Sequence, residues 1–141
     1  MKTMETENEI INENPARSTI RYSISQEQID DILDNELKGF EFPAKPTYNP
    51  HIKDNGRTIS EIRGTQKTLK RIEIGKQDSP SREFLIDTIL HEYYESEIVV
   101  KRLTSDVYWN LDRAIPAKRH KWINKKIAEF FETRRKYNEL G

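Results

Sequence analysis

His91, Glu92 and Glu95 stand together in the run His91-Glu92-Tyr93-Tyr94-Glu95. On an α-helix, residues four apart lie one above the other, so His91 and Glu95 would present an imidazole and a carboxylate side by side. A third donor is available further along. His120, Ile123, Ile127, Phe130, Phe131 and Arg134 recur at three- and four-residue spacing, which puts His120 on the inward face of a last helix, one turn inside its start. Two imidazoles and one carboxylate make a zinc ligand set, the set of open catalytic sites with water in the fourth position. Zinc is therefore the cofactor these residues suggest. Glu92, beside the first ligand, stands where a metalloprotease keeps its general base. There it would take a proton from the attacking water and return it to the leaving amine.

Other residues have two readings each. Tyr108 can donate a hydrogen bond to a developing oxyanion or serve in packing. Asp87, one turn before His91, can orient the imidazole as an acceptor or be a surface acid near the helix start. His51, beside Ile52, is a fallback third ligand or a solvent-exposed residue. His91 and Glu95 themselves also fit a structural hydrogen-bonded pair on a crowded helix face. Glu92 fits an exposed position at the edge of the core face, and His120 fits packing against Trp122.

These side chains need elements to hold them. Ser79-Pro80 reads as an N-cap followed by proline at the first helical position, opening a helix to about Leu103. Leu85, Ile86, Ile89, Leu90, Tyr93 and Val100 form one broad apolar face of it. Phe84, Ile98 and Val99 lie on the other side with His91 and Glu95, and a helix apolar almost all round is buried. A buried carboxylate needs a partner, and His120 qualifies if the last helix, from about Pro116 to Tyr137, packs back through a loop holding Tyr108 and Trp109.

Earlier in the chain, Ile20, Tyr22 and Ile24 alternate as a half-buried strand over 19–24. Ser25 and Gln28 form a capping box ahead of Ile29, Ile32, Leu33 and Leu37, a helix that Gly39 closes. Pro43, Pro46 and Pro50 mark a loop. Asp54-Asn55-Gly56-Arg57 carries a strong hairpin signal, Gly64-Thr65 a second turn, and residues 48–75 read as a three-stranded antiparallel meander. The parity of Ile59 and Ile62 does not fit a plain strand and calls for a bulge or a different register.

His91-Glu92-x-x-Glu95, entered through the apolar run Leu85-Ile86-Asp87-Thr88-Ile89-Leu90, resembles the active-site helix of zincin-like metallopeptidases. The resemblance is to the gluzincin side of that group, and to small phage and mobile-element proteins with a His-Glu-x-x-Glu helix. It covers about residues 68–132. The family motif is His-Glu-x-x-His with a glutamate from a later helix. Here the second motif position is Glu95 and the later residue His120, so the ligand inventory is kept but permuted. The resemblance implies a zinc-dependent hydrolase acting on a protein or peptide.

Composition narrows the alternatives. The 141 residues are 34% hydrophobic and 34% charged, with 24 basic and 24 acidic residues and no cysteine. Zero net charge argues against a chain that coats nucleic acid. Without cysteine there is no disulfide or thiolate metal site, so any metal falls to His and carboxylate. No apolar run approaches the ~18 residues of a membrane span, and the polar start does not read as a secretory signal, which suggests a cytoplasmic protein. The neutrality is uneven. Residues 1–14 carry one lysine against four glutamates, and 117–137 carry eight bases against two acids. The basic stretch, Lys118 to Lys136, can bind phosphates or form a solvated face. A non-enzymatic, nucleic-acid-binding or interaction protein of a mobile element is therefore the alternative function, and a zincin fold that has lost its metal is another.

The expected architecture is α+β: a disordered acidic tail over 1–16, then one zincin-like domain over 17–141. In it, a small antiparallel sheet of three or four strands packs against about three helices around the central His-Glu-x-x-Glu helix.

Overall fold

The computed structural model describes residues 8–140. The described residues are α+β, with four strands and four helices. The strands are β1 (Glu9–Asn14), β2 (Pro46–Tyr48), β3 (Gly56–Arg63) and β4 (Gln66–Ile74). The helices are α1 (Gln26–Asn35), α2 (Arg82–Lys101), α3 (Asp106–Arg113) and α4 (Pro116–Leu140). The sheet order is β1-β3-β4-β2, with β1, β3 and β4 antiparallel and β2 parallel to β4. It is a mixed sheet rather than the purely antiparallel one expected.

β3 and β4 form the hairpin that frames the sheet. Its two-residue turn is Gly64-Thr65, with Gly64 at φ 62°, a left-handed conformation that a residue without Cβ adopts freely. A bulge follows the pairing of Ile59 with Arg71, because Ser60 then faces Leu69 and leaves Lys70 over. This is the irregularity that the parity of Ile59 and Ile62 called for. Asn55-Gly56, by contrast, is not a hairpin turn. Asn55 N donates to Asn14 O at 2.8 Å, and Gly56 already lies in the sheet opposite both Asn14 and Ile74. Residues 51–53 add no strand. The partner of β4 on its other side is β2, inside the proline-rich loop. Pro46 stands first in that edge strand, where a missing N–H is tolerated.

Two further expectations are corrected. Residues 9–14 were expected in a structureless tail, and they pair with β3 from Glu9↔Glu61 to Asn14↔Gly56. The open edge of β3 supplies backbone partners for this polar segment, and Lys70 and Arg71 supply charges for Glu9. The remainder of that expectation, over 1–7, lies outside the described residues. Residues 19–24 are not a strand: only Tyr22 pairs, through two backbone bonds with Gln77, and Ile20 is 64% exposed.

The helices follow their local signals. Ser25 and Gln28 complete the capping box of α1. α2 starts two residues later than Ser79-Pro80 suggests. Ser79 Oγ accepts from Ser81 N, and Ser81 Oγ caps the helix by accepting from Phe84 N at 3.1 Å. Residues 106–113, read as loop, form α3 under the cap Ser105. α2 lies against β4, β3 and β1, while α3 and α4 pack on α2. Twelve of its twenty residues are buried, which makes it the central element. Ile86, Ile89 and Leu90 meet Ile29, Ile32, Ile72 and Ile74 in the apolar core, each worth about 1.5–3 kcal/mol on burial. Val100, expected on that face, is exposed, whereas Ile98 and Val99 are buried. No helix of the described residues is long and apolar enough to cross a membrane.

Candidate metal centre

α2 carries His91, Glu92 and Glu95 on the side that faces β3 and α4, and all three are buried. α4 begins at Pro116 and reaches His120 one turn later. His91 Nε2 lies 3.8 Å from Glu95 Oε2, and His120 Nε2 lies 3.4 Å from that same oxygen. The two imidazole rings meet edge to face, their centroids 4.9 Å apart. One ligand atom from each of the three residues falls within 4.8 Å of the others. Donors about 2.0–2.1 Å from a tetrahedral ion are about 3.3 Å from one another. The cluster is thus close to the spacing of a three-donor zinc site.

The polar accounting singles out the same place. Among the described residues, seven buried side-chain nitrogen and oxygen atoms have no hydrogen-bond partner, and four belong here: His91 Nε2, His120 Nε2, Glu95 Oε2 and Glu92 Oε2. Each such atom costs about 1–3 kcal/mol when left unsatisfied. A cation between the imidazoles and Glu95 Oε2 would satisfy three of them with donors of suitable chemistry. His91, Glu95 and His120 therefore fit a divalent metal. Exposure differs among them: the His120 side chain is 27% exposed, against 6% for His91 and 0% for Glu95, although the Nε2 of His120 is itself buried.

The other oxygen of each glutamate is engaged. Arg119 Nε donates to Glu95 Oε1 at 2.7 Å, and the guanidinium is itself buried. Thr58 Oγ1 on β3 donates to Glu92 Oε1 at 2.9 Å. Gly56 makes room for that carboxylate, since a Cβ there would stand 2.9 Å from both Glu92 Cγ and Oε2. The sheet under Glu92 is therefore built from a glycine and a threonine, two residues apart on the same face.

The two carboxyls are driven in opposite directions. Burial raises Glu92 well above the usual carboxylate range, and the nearby charge of Glu95 adds to this against the opposing hydrogen bond from Thr58. Burial also pushes Glu95 up, but His120, His91 and the Arg119 charge more than offset it and bring it down to about 2. Their environments thus push the two carboxyls apart, Glu92 toward the protonated form and Glu95 toward the ionised one, the separation that distinguishes acid from base in paired-carboxyl sites.

The remaining sequence candidates fall elsewhere. The Tyr108 hydroxyl donates to Glu97 Oε1 at 2.8 Å. Glu97 is two residues past Glu95 and so about 200° around the helix, and the Tyr93 hydroxyl donates to it as well. Tyr108 is therefore not brought to the cluster as an oxyanion donor. Asp87 is exposed and no hydrogen bond joins it to His91, although burial raises its carboxyl and His91 is near enough for its charge to oppose that rise. His51 is exposed in a loop, where its backbone N–H donates to Asn49 Oδ1. Several bases of the last helix are engaged: Arg119 on Glu95, Arg134 on Glu83, and Arg135 and Lys136 on Glu132.

Sequence reasoning missed Arg119, Thr58 and Gly56. Arg119 looked like one more base on a charged helix. Its one usable signal was the position directly before His120, on the turn that faces inward. Thr58 and Gly56 were absorbed into a hairpin reading.

No protein-family model, curated protein or solved structure matches the chain.

Proposed function

We propose that this chain is a zinc-dependent hydrolase of the metallopeptidase type, with His91, Glu95 and His120 as metal ligands and Glu92 as general base. One observation carries the reading: three buried donor atoms on two helices converge within ligand spacing, and none has a hydrogen-bond partner. When bound, zinc supplies a Lewis acid that polarises a carbonyl and lowers the pKa of water toward about 7.

The chain's own residues account for the rest. His91 and Glu95, one turn apart, are set by the buried α2, and His120 comes from the start of α4. Glu92 Oε2 is the free oxygen of the adjacent carboxyl, and it takes a proton from the attacking water and hands it to the leaving amine. Thr58 keeps Oε1 occupied meanwhile. A cation at the cluster also lowers the Glu92 pKa, because a nearby positive charge favours the carboxylate, which opposes the rise that burial causes. The substrate is a peptide or protein that approaches from the His120 side, where the side chains of the cluster are least covered.

A second reading is a zincin-like centre without metal, held by the Glu95–Arg119 pair. The 2.7 Å contact of Arg119 Nε with Glu95 Oε1 favours it, because Arg119 already balances the Glu95 carboxylate. Calorimetric titration of chelator-treated protein with zinc separates the two. The zinc reading expects one site per chain, weakened at least tenfold in H120A; heat no greater than for dilution supports the metal-free centre. For a protein that binds zinc, hydrolysis of unfolded protein substrates should be lost in E92Q while zinc uptake persists.

A further inference from the structure

We propose that Arg119 is a positioning residue that reserves a single oxygen of Glu95, Oε2, for the cation, so that the carboxylate ligates through one atom and the centre keeps an open position. This rests on the reading of His91, Glu95 and His120 as ligands. All three nitrogens of the guanidinium are engaged. Nε donates to Glu95 Oε1 at 2.7 Å, Nη1 to Ala114 O at 3.2 Å, and Nη2 to Asn12 Oδ1 at 3.3 Å. Ala114 is the C-cap of α3 and Asn12 lies in β1. The planar fork is thus fixed at the α3–α4 junction and against the outer strand of the sheet, while its remaining edge grips the carboxylate.

Burial makes the grip effective. Glu95 is fully buried and Arg119 is 6% exposed, so a buried pair broken on one side leaves an uncompensated charge. Oε1 cannot exchange roles with Oε2 unless Arg119 lets go. Oε2, by contrast, faces both imidazole Nε2 atoms and has no hydrogen bond of its own. A carboxylate free to turn can ligate through both oxygens and fill the position a substrate needs, and four-coordinate sites then become five-coordinate. β1 enters the centre by the same route, through Asn12.

Cobalt(II) titration of the chelator-treated full chain tests this, read by visible absorption. Wild type should bind one Co2+ with the intense bands of four-coordinate cobalt. R119K keeps the charge but loses the planar fork. It should bind with about 10–100-fold lower affinity, and its spectrum should shift to the weak bands of higher coordination. N12A, which touches neither ligand nor carboxylate, should shift in the same direction by less, and it decides the matter if R119K does not fold. A purely structural Arg119 would lower the unfolding midpoint and leave the bound-cobalt spectrum unchanged. Folded R119K with the wild-type spectrum and affinity would overturn the inference alone. A wild-type chain that takes up no cobalt would overturn it together with the ligand reading.

Discussion

The two sides of α2 are built on different terms. On one side Ile86, Ile89 and Leu90 meet Ile29, Ile32, Ile72 and Ile74, and every contact is apolar. On the other, one turn of the same helix buries His91, Glu92 and Glu95 against Gly56, Thr58, Arg119 and His120. The helix residues of both sides are buried. What differs is the bookkeeping of partners. Apolar contact is non-directional, so the first side needs only volume and shape. The second needs a partner for each atom, and four of its buried atoms lack one. Such cost is tolerated where chemistry requires it, which is why the polar side is read as the functional centre.

The contrast can be broken most strongly at Arg119. In metal-free protein, R119M should cost about 3–5 kcal/mol in urea unfolding, because it strands the Glu95 carboxylate. The double variant R119M/E95M should recover most of that loss. If R119M alone is neutral, the polar side is not held by this pair.

On the apolar side, I89A should cost about 2–5 kcal/mol through the cavity it leaves. Metal uptake per folded molecule should be unchanged in I89A. Reduced uptake in the folded protein would mean the two sides are coupled rather than separate.

Between them, G56A should cost about 1–3 kcal/mol, because its Cβ has no room beside Glu92. The cost should shrink in an E92A background, and a double-mutant cycle measures this coupling. An additive pair would show that Gly56 serves the strand rather than the carboxylate.

The polar side also predicts a slope with pH. Glu92 is raised above its unfolded value of 4.5. The folded metal-free chain therefore binds a proton that the unfolded chain has lost, and stability falls as pH rises above about 4.5. Glu95 is lowered to about 2, so the stability it contributes is present above pH 4.5 and is lost as pH falls from there toward 2. Relative to wild type, E92Q should flatten the alkaline slope and leave the acid limb intact. Parallel wild-type and E92Q curves above pH 4.5 would show that Glu92 is not held neutral.

Much of this was legible in the residues. The α1 capping box, the extent of α2 and α4 and the bulge near Ile59 follow from local signals. So do the inward positions of His91, Glu95 and His120, because helical periodicity fixes which residues share a face. What was not legible depends on distant pairing. Glu9–Asn14 is a strand because β3 offers an open edge, and nothing in its own polar sequence demands that. Asn55-Gly56 carries the local signature of a hairpin turn, yet its glycine is there to admit the Glu92 side chain. Arg119 differs from its basic neighbours only in what α2 and β1 place around it, and Tyr108 finds Glu97 because 106–113 coils into a helix that no strong periodicity announced.

The central claim is that His91, Glu95 and His120 hold a metal ion. Elemental analysis of full-length protein, purified without a polyhistidine tag or added metal, tests it most directly. The expected result is about one zinc per chain, absent from folded H91A. Wild-type protein that is folded, contains no zinc or other transition metal, and does not take up zinc on dialysis against it would contradict the claim.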